Sequence, residues 1–120
     1  AKRFAAIEAR LRRWEAEPVL LEIRSAQQNF WKSEAAVAEA MASVDEAGAL
    51  VEKETRRRDA AREAVLKAEP MAEARLFLAQ SALNSARRLH ATRAATADRL
   101  ANELQSRKAE VERLKARFGK

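Results

Sequence analysis

The chain has 120 residues, of which 35% are charged and 5% aromatic, with two glycines, two prolines and no cysteine. This composition leaves little room for sheet or long loops and predicts a single all-α domain. The lack of cysteine excludes a disulfide framework and thiol-based metal or redox sites. No apolar run approaches the ~20 residues of a membrane span and no signal-peptide pattern opens the chain, so we expect a soluble cytoplasmic protein.

The first predicted element is a short amphipathic helix over residues 1–17. Its apolar residues recur at spacings of three and four, which is the period of one helical face. They are Phe4, Ile7, Leu11 and Trp14. Pro18 interrupts the pattern, and the apolar spacing does not continue in phase into the next element. We therefore expect either a kinked extension of the following helix or a separate helix that folds back.

The rest of the chain carries two sets of mostly apolar residues that recur every seven positions, the period of a coiled coil. The first set lies in residues 19–67 and contains Ile23, Phe30, Val37, Val44, Val51 and Val65. The second set lies in residues 70–118 and contains Leu76, Leu83, His90, Ala97, Leu104, Val111 and Phe118. Small residues, mostly alanine, stand three positions after most members of the first set, so a partner helix could approach closely.

A turn is predicted near residues 68–70, between the two sets. Pro70 lacks an N–H and clashes with the preceding turn inside a helix, but it is favourable at a helix start. If the chain reverses there, each set faces the residues that stand three positions after the members of the other set, so Ile23 lies opposite Leu114. The sequence therefore predicts an all-α fold, a long antiparallel two-helix coiled-coil hairpin with a short N-terminal helix or kinked extension.

Charged residues support the antiparallel pairing. The charged residues of segment 34–54 are mostly acidic and would lie opposite segment 83–103, whose charged residues are mostly basic, so a parallel dimer is disfavoured. The excess of basic residues, which gives the net charge of +6, lies near the two ends of the hairpin. This charge also suggests nucleic-acid binding, but no aromatic residues alternate with the basic ones as single-strand binding requires. Nucleic acid is therefore the weakest of the candidate partners.

No motif for catalysis or for cofactor binding is present in the sequence. There is no glycine-rich phosphate loop, and no serine nucleophile stands with a base of the usual kind. The single histidine, His90, cannot form a metal cluster by itself. We therefore expect a non-enzymatic protein with no catalytic residues, no cofactor and no metal, which acts by contacting other proteins.

Several large apolar residues fall outside the predicted seam and cluster near the turn. They are Leu66, Met71, Phe77 and Leu78. An isolated hairpin would leave them in water, which indicates either self-association or a site for a different protein.

The sequence resembles the FliJ/YscO family of type III secretion stalk proteins in three segments: VLLEIRSAQQNFWKSEAAVAEAMASV, EARLF and RKAEVERLKARF. The resemblance covers about residues 19–118, whereas residues 1–17 and Pro18 depart from the family's usual start. It implies an antiparallel coiled coil similar to the central stalk of a rotary ATPase. Members of the family insert the end that bears the termini into the hexameric export ATPase and contact the export gate and secretion chaperones through other faces.

By position, the resemblance assigns the basic residues of the open end to the ATPase. They are Arg24, Lys108, Arg113, Lys115 and Arg117. We place the export-gate contact on the surface around Leu83, Ala86 and His90.

The leading hypothesis is thus a stalk or adaptor that stimulates the export ATPase and links it to the gate and chaperones. It would act in the cytoplasm, at the cytoplasmic face of the inner membrane through the secretion apparatus. The alternatives are a self-associating coiled-coil scaffold and, third, a basic nucleic-acid-binding hairpin.

Overall fold

The computed structural model describes residues 2–119, without the side chains of Lys2, Glu15 and Ala16. Helix α1 spans Lys2–Leu66 and helix α2 spans Ala72–Phe118. The two helices are antiparallel and pack against each other, and no strand is present among residues 2–119. The predicted fold class, an antiparallel two-helix hairpin, is therefore confirmed. Ala1, the first residue of the predicted N-terminal helix, lies outside the described residues.

No helix within the described range is both long and apolar enough to cross a membrane.

Residues 2–17 are the first part of α1 and not a separate helix, because α1 continues through Pro18. Proline has no N–H, so the carbonyl of Trp14, four residues earlier, lacks its usual intrahelical donor. Pro18 is exposed, and water can bond a carbonyl at such a position. Of the two alternatives that the sequence left open, the structure has the extension of α1.

The packing divides the chain into two compact units, which we describe separately. The terminal unit contains the chain up to Ala36 together with the chain from Ala101 onward, and the turn unit contains Val37–Leu100.

The core of the terminal unit is a small apolar cluster from both helices. Two residues of α1, Ile23 and Ala26, are buried against Val111 and Leu114 of α2. Val19 and Phe30 are partly buried and pack on this cluster. Ile23 and Leu114 therefore meet, as the heptad spacing predicts.

The core of the turn unit consists of alanines around one large side chain. Leu83 has no exposed area and is the largest fully buried side chain among the described residues. The other buried residues of this unit are Ala47, Ala61, Ala64, Ala72, Ala79, Ala86 and Ala97. Small side chains let two helices pack at short interaxial distance, so this seam is thin, and its buried residues are all apolar.

Helix α1 ends in a Schellman motif. The N–H of Glu69 donates to the carbonyl of Ala64 at 3.0 Å, and the N–H of Ala68 donates to the carbonyl of Val65 at 3.0 Å. Ala68 has a φ of 54°, in the left-handed region that glycine usually occupies at this position. An L-residue other than glycine costs about 1–2 kcal/mol there.

An exposed ion pair joins the turn to the first part of α2. The guanidinium of Arg75 lies 3.2 Å from the carboxylate of Glu69 and donates to the carbonyl of Pro70 at 3.3 Å. Both side chains of the pair are about half exposed, so the pair contributes at most about 1 kcal/mol.

Leu83→Ala should lower the free energy of unfolding by about 2–4 kcal/mol, because it removes a fully buried side chain and leaves a cavity. Leu78→Ala is the matched control, since Leu78 is 57% exposed and its truncation should change stability by less than about 0.5 kcal/mol. Urea denaturation followed by circular dichroism measures both. Equal effects of the two substitutions would show that the seam does not run through Leu83.

Ala68→Gly should stabilise the protein by about 0.5–1 kcal/mol, because the relief of left-handed strain exceeds the entropy that glycine adds to the unfolded chain. Ala74→Gly, at an exposed helical position of α2, should instead destabilise by about 1 kcal/mol. Thermal melting of the two variants compares them. A lower melting temperature for Ala68→Gly would contradict the left-handed conformation.

Candidate protein-interaction surfaces

The predicted apolar residues near the turn form an exposed surface, which we call the turn patch. It consists of Leu66, Met71, Phe77 and Leu78, each more than half exposed. Leu78 also lines a shallow depression with the small residues Ala60, Ala61 and Ala64, and the charged residues at its edge are Arg57, Glu69 and Arg75. An apolar floor with a charged edge suits the side chain of a partner protein.

Three basic residues of α1 near the turn are paired with acidic neighbours on the same helix. Arg56 lies 3.9 Å from Glu52, Arg57 lies 3.5 Å from Glu54, and Arg58 lies 3.0 Å from Asp59. These pairs reduce the positive field that the sequence predicts at this end.

Five basic residues of the terminal unit are placed differently, and we call them the terminal basic cluster. All are exposed, and none forms an ion pair with another described residue. They are Arg24, Lys108, Arg113, Lys115 and Arg117.

The structure distributes the terminal basic cluster over more than one face. Arg113 and Arg117 are one helical turn apart and border the same shallow depression, together with Glu22 and Glu110. Lys108 and Lys115 are two turns apart and lie on another face of α2. The cluster is therefore a positively charged collar and not a single flat patch.

The export-gate surface predicted around Leu83, Ala86 and His90 does not agree with their burial. Leu83 is 0% exposed and Ala86 is 3% exposed, so both belong to the seam. A side chain without exposed area cannot contact another protein while the helices remain paired. The heptad spacing had already placed Leu83 in the seam, and only the family resemblance pointed to a surface here.

His90 is half-buried and lies over Gly48 of the facing helix. A Cβ atom at Gly48 would lie 3.6 Å from Nε2 of His90, which is an ordinary van der Waals distance. The space beside Gly48 is therefore wide enough for a methyl group, and the ring of His90 lies at its edge.

Arg93 crosses the seam of the turn unit. Its Nη1 donates to the backbone carbonyl of Ser43 at 3.2 Å and lies 3.8 Å from the carboxylate of Glu46. Sequence reasoning could not identify this bond, because its acceptor is a backbone atom with no side-chain signature.

Sequence reasoning also missed the full extent of the apolar face at the start of α1. Because α1 continues through Pro18, the spacing of three and four extends to Leu21. We call this face the N-terminal stripe: Phe4, Ile7, Leu11, Trp14, Pro18 and Leu21. All six residues are exposed, and Ile7, Leu11 and Trp14 line a shallow apolar groove with Arg10.

Over the described residues, no group of three or more acidic or histidine side chains is placed to hold a metal ion. In the same range, no buried polar side-chain atom lacks a hydrogen-bond partner.

Comparison with family models, with curated proteins and with solved structures found no match to this chain. Three surfaces remain as the basis for a functional proposal: the turn patch, the terminal basic cluster and the N-terminal stripe.

Gly48→Ala should stabilise the protein by about 0.5–1 kcal/mol, because alanine has the higher helix propensity and the new Cβ meets His90 at an ordinary distance. Ala49→Gly, at the exposed neighbouring position, should destabilise by about the same amount. Thermal melting distinguishes the two. A loss of stability in Gly48→Ala would mean that the helices approach more closely at this point than the structure shows.

Proposed function

We propose that the protein is a non-enzymatic stalk or adaptor that presents its terminal basic cluster to an acidic surface of another protein. The observation that carries the proposal is the contrast between the two sets of basic residues. The five residues of the terminal basic cluster are exposed and make no ion pair with described residues, although Arg12 and Arg107 of the same unit do. Three basic residues near the turn are instead paired within α1. Unpaired exposed charges add little to folding and remain available for binding.

Following the FliJ/YscO resemblance, the proposed partner is the hexameric export ATPase of a type III secretion apparatus. A helical hairpin with a collar of positive charge suits an acidic ring, because side chains on several faces meet the partner at once. Long-range attraction would speed encounter and orient the hairpin as it enters. The interaction should therefore weaken as salt concentration rises.

The contact with the export gate or with secretion chaperones is better placed on the turn patch than on Leu83 and Ala86. The turn patch is exposed and apolar, whereas those two residues are buried in the seam. A protein that holds the ATPase by its charged collar and another component by its turn patch would link the two. This link would operate at the cytoplasmic face of the inner membrane.

A self-associating scaffold is the second candidate function. It is favoured by the exposed apolar residues at both surfaces, the turn patch and the N-terminal stripe, since monomeric proteins rarely leave large apolar patches in water.

Replacement of Arg113, Lys115 and Arg117 by glutamate should abolish most of the stimulation of the export ATPase from the same organism. Loss of about 0.5–1 kcal/mol per contact would raise the concentration for half-maximal stimulation by about tenfold or more. The measurement is the ATP hydrolysis rate with and without the protein, at low and at physiological salt.

The matched control replaces three basic residues of the turn unit, Lys53, Arg62 and Lys67, by glutamate, which changes the net charge equally. This control should still stimulate the ATPase. An equal loss in both variants would mean that net charge matters and position does not. No stimulation and no co-elution by the unmodified protein would remove the ATPase from consideration.

A further inference from the structure

We propose that the N-terminal stripe is a self-association seam that binds a second copy of this chain in parallel orientation. The proposal concerns residues 3–24 of α1, and it does not depend on the partner proposed above.

The stripe has the spacing of a coiled-coil seam. Its six members alternate three and four residues apart from Phe4 to Leu21, with Phe4, Leu11 and Pro18 at the first core position of each heptad. The helix is continuous over this range, so all six lie along one face. Trp14 is 78% exposed and Phe4 is 76% exposed, so a second helix would remove a large apolar area from water.

At Leu21, its last residue, the stripe faces away from α2. Leu21 is 63% exposed, whereas Ile23, two residues later, is 9% exposed and packs against Leu114. Two residues on an α-helix are separated by about 200° around its axis. A second copy can therefore reach the stripe while α2 keeps its place on the opposite face.

The charges beside the stripe select a second copy as its occupant. Arg3 and Arg10 directly precede the core residues Phe4 and Leu11, which is the g position of a heptad. In the sequence, the e positions that follow the other core residues are all glutamate: Glu8, Glu15 and Glu22. A basic g edge and an acidic e edge on the same helix are self-complementary.

The same charges select the parallel orientation. In a parallel pair, a g residue meets the e residue of the next heptad in the other copy, so Arg3 meets Glu8 and Arg10 meets Glu15. One like-charged contact, Glu17 with Glu22, remains on each side. In an antiparallel pair e positions face e positions, and this sequence would set glutamate against glutamate.

A membrane surface is the competing occupant, because basic amphipathic helices bind anionic lipid. Two features favour a helix over lipid. The stripe is narrow, limited to the two core positions of each heptad, and the glutamates at its edge would lie at the lipid surface and be repelled by anionic headgroups.

The association should be weak and concentration-dependent, because the stripe covers fewer than three full heptads and contains a proline. The helix is already formed in the single chain, so binding need not nucleate it.

Sedimentation equilibrium of the full chain, from micromolar to about millimolar concentration, tests the proposal. The mass should rise from one chain to two. Leu11→Asp should stay at one chain over the same range, with the dissociation constant raised at least tenfold. Leu78→Asp, which places the same change in the turn patch, should associate like the unmodified protein. Both positions are exposed, so both variants should keep their helical circular dichroism.

A charge exchange tests the orientation. A chain with Arg3→Glu and Arg10→Glu, and a chain with Glu8→Lys and Glu15→Lys, should each remain monomeric alone. Mixed together, they should form a one-to-one dimer, because every parallel contact of positions 3 and 10 with positions 8 and 15 is then attractive, and only the contact of Glu17 with Glu22 stays like-charged.

Three results would overturn the proposal. They are a single-chain mass at all concentrations, a dimer that Leu11→Asp leaves unchanged, and a mixture of charge variants that stays monomeric. If the monomeric protein instead co-sediments with vesicles of phosphatidylcholine and phosphatidylserine, and Leu11→Asp abolishes this, the stripe binds lipid.

Discussion

Close packing of two helices across a seam lined largely by alanine is the interaction on which the rest of this structure depends. Alanine side chains bury little area each, and apolar burial contributes only about 25 cal/mol for each Å². Stability is therefore spread thinly along the helices and concentrates where a larger residue, such as Leu83 or Leu114, is enclosed. The large apolar side chains that the seam does not bury lie on the outer faces of the helices, as in Phe77 and Trp14.

The outer faces are not needed to hold the helices together. Most ion pairs join residues three or four apart on one helix and are well exposed, as in Arg12 with Glu8 and Arg107 with Glu103, and such pairs contribute a few tenths of a kcal/mol. Charge can therefore be distributed to suit binding with little effect on folding. Ion pairs form near the turn but not in the terminal basic cluster, and this difference in charge distribution has little effect on folding.

Much of the fold could be predicted from the sequence, because the heptad period and Pro70 are local signals that agree with each other. Together they predict the pairing of the two helices that brings Ile23 next to Leu114. The heptad period could not decide between an extension and a separate helix at Pro18, where the cost of one missing hydrogen bond did not end the helix. It could not show the left-handed Ala68 or the bond from Arg93 to a backbone carbonyl, since both depend on the folded backbone.

The candidate surfaces were predictable to a lesser degree. The turn patch followed from apolar residues that the heptad spacing leaves out of the seam, and these residues are exposed. The surface at Leu83 and Ala86 was predicted from the family resemblance alone. It conflicts with the heptad spacing, which places Leu83 in the seam. The first four residues of the N-terminal stripe could be predicted from their spacing. Its extension to Pro18 and Leu21 could not, because it depends on a helix that continues through proline.

The missing hydrogen bond at Pro18 also has a mechanical consequence. A helix resists bending and twisting through its backbone hydrogen bonds, and α1 lacks one of them within the N-terminal stripe, shortly before the buried cluster around Ile23. We therefore expect α1 to bend most easily at Pro18. A load applied to residues 2–17 would be taken up there first, before it reached the paired helices.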